Sequence, residues 1–327
     1  MTPVKPERIL KDLAKLWKDL SKEDPEGVQR ACAMTFVAVV DEAQDAASVT
    51  ETLATLMHEH PSRLIVLRVG GGDELHLEAR VFAQCWLPFG KRQQICCEQI
   101  EISSSPGSLP DVVSLVRSLI APDLPVVVYC PSENLWWLKE FQQLLPLADK
   151  LILDSTSMPE SQRVLTYLEA VPNGKLRKAD LAWSRLSPWR ESIAQIFEDP
   201  MRRRAVNELA EIEILYQFDD EPAAVYYLAG WFRRVLGAGV KLKIARGAGP
   251  SFCSIGRVAL IGLTFRASVE LVQGSAVQTT VNGVQQQVIL YTPLSEYDAL
   301  RQELSISGRD PVFEDVLGLA QSMKATI

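Results

Sequence analysis

The chain has 327 residues, 47% of them hydrophobic and 23% charged, with a formal net charge of −7. That size and balance predict a globular protein of two domains, and the acidic excess disfavours nonspecific binding to nucleic acid or an anionic membrane. No apolar run is long enough to span a bilayer. The start, MTPVKPERILKDLAKLWKDL, is charged and amphipathic and lacks the apolar block of a signal peptide. A soluble, cytoplasmic protein is expected.

A first helix is predicted over about residues 5–20, where Ile9, Leu10, Leu13, Leu16, Trp17 and Leu20 recur at helical spacing. Residues 1–24 thus form an N-terminal amphipathic helix, followed by the turn-prone SKEDPEG. ACAMTFVAVV (31–40) reads as a buried strand, AASVTETLATLMHEH (46–60) as a helix and RLIVLRV (63–69) as a strand. LHLEARVFAQCWL and RQQICCEQIEIS, separated by PFGK, predict a hairpin. A helix near 109–120, a strand over 125–130, a helix near 134–146 and a strand over 150–155 follow. This alternation implies a mostly parallel sheet with helices on both faces, made mixed by the hairpin. The first domain is therefore α/β and Rossmann-like, over 25–173.

The remainder, 174–327, has a different rhythm. A helix over 181–198, a strand over 209–217 and a helix over 221–237 lead into several strands within 240–292. In TTVNGVQQQVILY, Asn282-Gly283 supply the positive φ angles of a type I′ turn. Helices near 294–304 and 311–323 finish an α+β domain with an antiparallel sheet.

Signs of catalysis are sparse. GGGDE (70–74) follows a strand but opens no helix and lacks both phosphate-loop fingerprints, so it reads as a tight turn. The glycines at 237, 239, 247 and 249 likewise fit loops. His58 and His60, two residues apart at a helix end, do not share a face for a metal. The six cysteines include no CxxC pair and read as buried thiols with little redox role. Cys96-Cys97, adjacent on a strand, should point to opposite faces, which predicts that at least one is exposed. Asp154-Ser155 ends a parallel strand, where α/β proteins bind ligands. With Arg163 nearby, it is the candidate small-molecule pocket, although Ser155 or Ser157 could equally cap the next helix.

The richest stretch is DLAWSRLSPWR (180–190). Ala182, Leu186, Trp189, Ile193 and Ile196 step by four and three residues through Pro188, which predicts one kinked helix with Asp180 as its N-cap. On that helix Trp189 belongs to the apolar face and Arg185 to one shoulder. Trp183 and Arg190 share the other shoulder, about 10 Å apart.

KADLAWSRLSPWRESIAQIFEDP resembles the signature block of the glucose-6-phosphate dehydrogenase assembly protein OpcA family. The matching positions are Asp180, Leu181, Ala182, Trp183, Arg185, Leu186, Pro188, Trp189 and Arg190. HPSRLIVL (60–67) and LPVVVYCP (124–131) add to the resemblance, with Tyr129-Cys130 departing from a tryptophan common in relatives. The last seventy or so residues match only in outline. The resemblance implies a non-enzymatic assembly factor or allosteric activator whose partner is glucose-6-phosphate dehydrogenase, itself needing no cofactor. Asp180, Trp183, Arg185, Trp189 and Arg190 would then serve partner binding. The alternative is a sugar-phosphate- or nucleotide-binding enzyme with its site at Asp154 and Arg163.

Overall fold

A computed structural model describes residues 4–23, 27–42, 46–70, 75–88, 90, 92–156, 158, 161–172, 174–247, 254–272 and 276–324. In chain order the elements begin with α1 (Pro6–Glu23), β1 (Val28–Arg30), β2 (Met34–Asp41), α2 (Ala46–Leu56), β3 (Ser62–Val69), β4 (Leu77–Trp86) and β5 (Gln94–Ser104). Then come α3 (Leu109–Leu119), β6 (Val126–Cys130), α4 (Glu133–Trp136), α5 (Lys139–Leu144), β7 (Lys150–Leu153), α6 (Ser161–Ala170) and β8 (Arg177–Asp180).

The strands β5-β3-β2-β6-β7-β8 lie side by side in that order. This is the doubly-wound order 3-2-1-4-5-6. The pairings β5·β3, β3·β2, β2·β6 and β6·β7 are parallel. Their central strands are buried almost without interruption, as a sheet covered on both faces requires. β4 runs antiparallel along the whole of β5, while β1 and then β3 share the opposite edge of β5.

Several sequence expectations change here. β1 lies just beyond the turn-prone break, too short and polar to show periodicity. The helix expected near 134–146 is two, because the chain is extended at Leu138 (ψ 134°). Cys96 and Cys97 are both 0% exposed, since β5 has strands on both edges and its faces are covered. Cys96 is moreover bonded to Cys85, its cross-strand partner in the β4–β5 register, so these two are not free thiols. Residues 71–74, Ser157, residues 248–250 and Cys253 lie outside the described residues, and with them most of the GGGDE turn.

The second half contains α7 (Leu181–Ser184), α8 (Ser187–Ile196), α9 (Pro200–Arg203), β9 (Leu209–Tyr216), α10 (Ala223–Leu236) and β10 (Lys241–Arg246). It continues with β11 (Ile255–Gly262), β12 (Arg266–Val272), β13 (Ala276–Val281), β14 (Val284–Leu290), α11 (Glu296–Ser305) and α12 (Pro311–Lys324). Its sheet runs β10-β9-β11-β12-β13-β14. It is antiparallel except for β9 and β10, which are parallel because α10 forms the crossover between them. Asn282 (φ 49°) and Gly283 (φ 78°) make the predicted tight turn between β13 and β14.

The compact units are Met1–Leu153 with Asn173–Lys178, and Asp154–Pro172 with Ala179–Ile327. They differ from a division at residue 173. α1 packs on β4 and α3 within the first unit, and α6 packs on α10 and α12 within the second.

Candidate functional site

Doubly-wound sheets hold a dinucleotide outside the C-terminal ends of the strands, where the order reverses and a glycine-rich turn opens a helix. Here that place lies between β2 and β6 in the first unit. The connection out of β2 reads DEAQDAA: no glycine and three carboxylates, Asp41, Glu42 and Asp45. Asp41 accepts a 3.5 Å hydrogen bond from Asn134 Nδ2. Glu42 folds back over the end of β3, where a Cβ on Gly70 would collide with its carboxylate. A diphosphate needs backbone N–H groups and close approach, and here it would meet anions. The residues present do not fit a dinucleotide.

The signature stretch lies in the second unit and is built around Asp180, which is 0% exposed. One carboxylate oxygen accepts from Ser155 N and Ala182 N, each at 3.0 Å. The other accepts from Ser155 Oγ at 2.6 Å and Tyr227 Oη at 2.8 Å. Burial raises the carboxyl above its usual range, against the pull of the Ser155 and Ala182 donors. The N-cap is as expected. Ser155 is not a helix cap: both its N–H and its hydroxyl are spent on Asp180.

The single kinked helix is replaced by two. α7 ends at Ser184, the chain turns at Arg185 and Leu186, and Pro188 falls in the first turn of α8. Proline costs no hydrogen bond there, so the break needs no kink. The apolar face survives the turn: Ala182, Leu186, Trp189, Ile193 and Ile196 are all buried. The distance on the other shoulder does not. The turn folds Arg190 onto Trp183, with the guanidinium carbon 3.6 Å from the ring centroid.

Trp183 is itself 3% exposed and donates from Nε1 to Asp310 Oδ2 at 3.2 Å. Its ring also packs on Tyr227 and Phe313. Among the described residues Arg190 makes a single side-chain hydrogen bond, from Nη2 to Ser187 Oγ at 3.0 Å, and its Nε is buried without an acceptor. Desolvation pulls its pKa down to about 10, opposed by the charges of Asp310 and Glu191.

Arg185, in contrast, is well committed. It donates from Nε to the Leu294 carbonyl at 3.1 Å, and from Nη1 to Asp154 Oδ1 at 2.8 Å and Thr156 Oγ1 at 2.5 Å. Beside it lies a cavity of ≈ 40 Å³, lined among others by Ser155, Thr156, Trp189, Ser254 and Tyr291. That space suits a few water molecules. Arg163 is exposed on α6 and is not among the residues lining this cavity. Sequence reasoning missed Asp310 and Tyr227, which lie 127 and 47 residues from their partners, too far for any local pattern to link them.

Family models divide the chain between residues 170 and 177, so they group α6 with the first half, unlike the compact units. Two family models match, both described as domains of a "Glucose-6-phosphate dehydrogenase subunit": the N-terminal domain over residues 54–170 and the C-terminal domain over 177–317. The OxPP cycle protein OpcA of Synechocystis sp. is 34% identical over 180 residues, covering 54% of this chain and 37% of that protein. Its namesake in Nostoc punctiforme is 29% identical over 182 residues, covering 53% and 37%. The chain thus spans well under half the length of the curated relatives it matches. Among solved structures, an NAD binding oxidoreductase from Klebsiella pneumoniae aligns with a TM-score of 0.52 at 10% identity, covering 90% of this chain and 96% of that one. A levoglucosan dehydrogenase aligns with a TM-score of 0.50 at 9% identity, covering 90% and 94%. These likenesses concern the fold alone. By both halves of its sequence, the chain belongs to the OpcA glucose-6-phosphate dehydrogenase assembly family.

Proposed function

We propose that this protein is a non-catalytic partner of glucose-6-phosphate dehydrogenase, acting in the cytoplasm to promote its assembly or activity. The observation that carries the reading is the β2–β6 end of the first sheet, where Asp41 and Glu42 stand in place of a phosphate-binding turn. A fold shared with oxidoreductases has there a surface that repels the cofactor's phosphates. Two polar groups beside the cavity are committed to partners: Ser155 Oγ is bonded to Asp180, and Asp154 to Arg185. Family membership supports glucose-6-phosphate dehydrogenase as that partner. A protein that binds the active oligomer better than the inactive form shifts their equilibrium by its differential affinity.

The test is the cognate dehydrogenase, assayed with and without the purified chain while its size is followed by light scattering. Activation or a shift to larger oligomers is expected, with no turnover of sugar phosphates by the chain alone. Turnover by the chain alone, or no effect on the dehydrogenase at protein concentrations well above micromolar, overturns the reading.

A further inference from the structure

Arg190 is the odd arginine of the second unit. A guanidinium carries five N–H donors, yet among the described residues this one has a single side-chain hydrogen bond, to a serine hydroxyl, and no ion pair. Its Nε is buried without an acceptor. Two carboxylates stand near enough to influence its charge, and neither bonds to it. Asp310 is committed elsewhere: Oδ1 accepts from Val312 N and Phe313 N at the start of α12, and Oδ2 accepts from Trp183 Nε1. Glu191, its neighbour on α8, is exposed.

A desolvated cation without a direct ion pair costs stability. Among the described residues that cost is offset by the stacking on Trp183, one hydroxyl and the unbonded charges of Asp310 and Glu191, with no direct ion pair. The stacking does fix the planar fork in one orientation, and the residue remains partly accessible. A fixed fork with open donors matches a carboxylate bidentately. Trp183, held on its other sides by Asp310, Tyr227 and Phe313, acts as the rigid backing.

We infer that Arg190, clamped on Trp183, is a docking arginine that receives a carboxylate side chain of the partner protein. The inference rests on the proposed function, in which that protein is the dehydrogenase. Arg190 brings a charge already stripped of part of its water, so the complex gains an ion pair at reduced desolvation cost. Its specificity is that of a positioned fork, which a lysine ammonium on the same stem cannot reproduce.

The experiment measures binding of the full chain to the cognate dehydrogenase for the native protein and for Arg190→Gln, Arg190→Met and Arg190→Lys. Thermal melts are run on the same preparations. Both neutral variants should melt at or above the native temperature while binding about 30-fold or more weaker, with the lysine variant in between. Native-like binding by the neutral variants overturns the inference and leaves the proposed function standing. Failure of the native chain itself to bind the dehydrogenase removes the proposed function and this inference with it. A fall in melting temperature in both neutral variants makes Arg190 part of the framework. An inorganic phosphate titration covers the remaining source: if millimolar phosphate stabilises the native chain and not Arg190→Gln, the site takes a free anion instead.

Discussion

At the scale of single residues, the signature combines fully buried side chains, Asp180, Trp183 and Trp189, with the partly accessible Arg190. Trp189 is 2% exposed and meets Tyr291 edge-on at 6.1 Å. Trp189→Ala should cost about 3–5 kcal/mol, read from urea unfolding; a loss under about 1 kcal/mol would mean the site collapses around the smaller side chain. Asp180 gives a pH signature. Its folded carboxyl is raised, so the native state holds the proton more tightly than the unfolded chain, whose value is about 3.9. Its contribution is therefore full below that value and declines as pH rises through the folded value. Asp180→Asn should lack this decline, so the two denaturation midpoints should draw together or cross as pH rises from about 3.5 to 7. Parallel profiles would show that Asp180 does not titrate in that window. The burial of Trp189 is legible in sequence because helical spacing marks a face. The Trp183–Arg190 stack is not, because periodicity treats the helix as straight across Pro188, and a proline in a first turn looks the same in sequence as a proline in a kink.

Elements are easiest to read where one local rule governs them. The Asn282-Gly283 turn is such a case, and it yields a clean test. Nothing lies within 4 Å of a Cβ placed on Gly283, so Gly283→Ala should cost only its backbone strain, about 1–2 kcal/mol. A neutral result would mean that the turn relaxes to another type. The parallel pairing of β9 and β10 is less accessible, although strand, long helix and strand in succession is the pattern of a crossover. The link between Cys85 and Cys96 cannot be seen at all, because it depends on the register of β4 against β5. It closes a short loop across the sheet's antiparallel edge, and its reduction should remove about 3 kcal/mol. Melts with and without dithiothreitol should differ for the native chain and coincide for Cys85→Ala; equal melts for the native chain would rule out that contribution.

For the whole molecule, fold class follows from the alternation of strands and helices, but the division into units does not. Residue 173 looks like a boundary because VPNGK breaks the pattern. Yet α6, just before it, buries Val164, Leu165, Tyr167 and Leu168 in the second unit, against elements that come later in the chain. Fragments 1–173 and 174–327, expressed separately, should each be poorly soluble, the first exposing that face and the second lacking it. Mixing them during refolding should recover soluble protein, and two freely soluble fragments would contradict the division.

The same helix sets a timetable for synthesis. The strands of the first sheet from β1 to β7 have all emerged by residue 153, so most of that unit can close while translation continues. α6 emerges next with a ready-made apolar face, but α12, one of the two helices that cover it, ends only at residue 324. At roughly 5–20 residues per second the wait is on the order of ten seconds. For that interval the nascent chain presents a folded unit joined to a bare apolar helix, the kind of segment that trigger-type chaperones shield. Synonymous codons that slow translation beyond residue 170 should therefore lower soluble yield more than the same codons placed before residue 153.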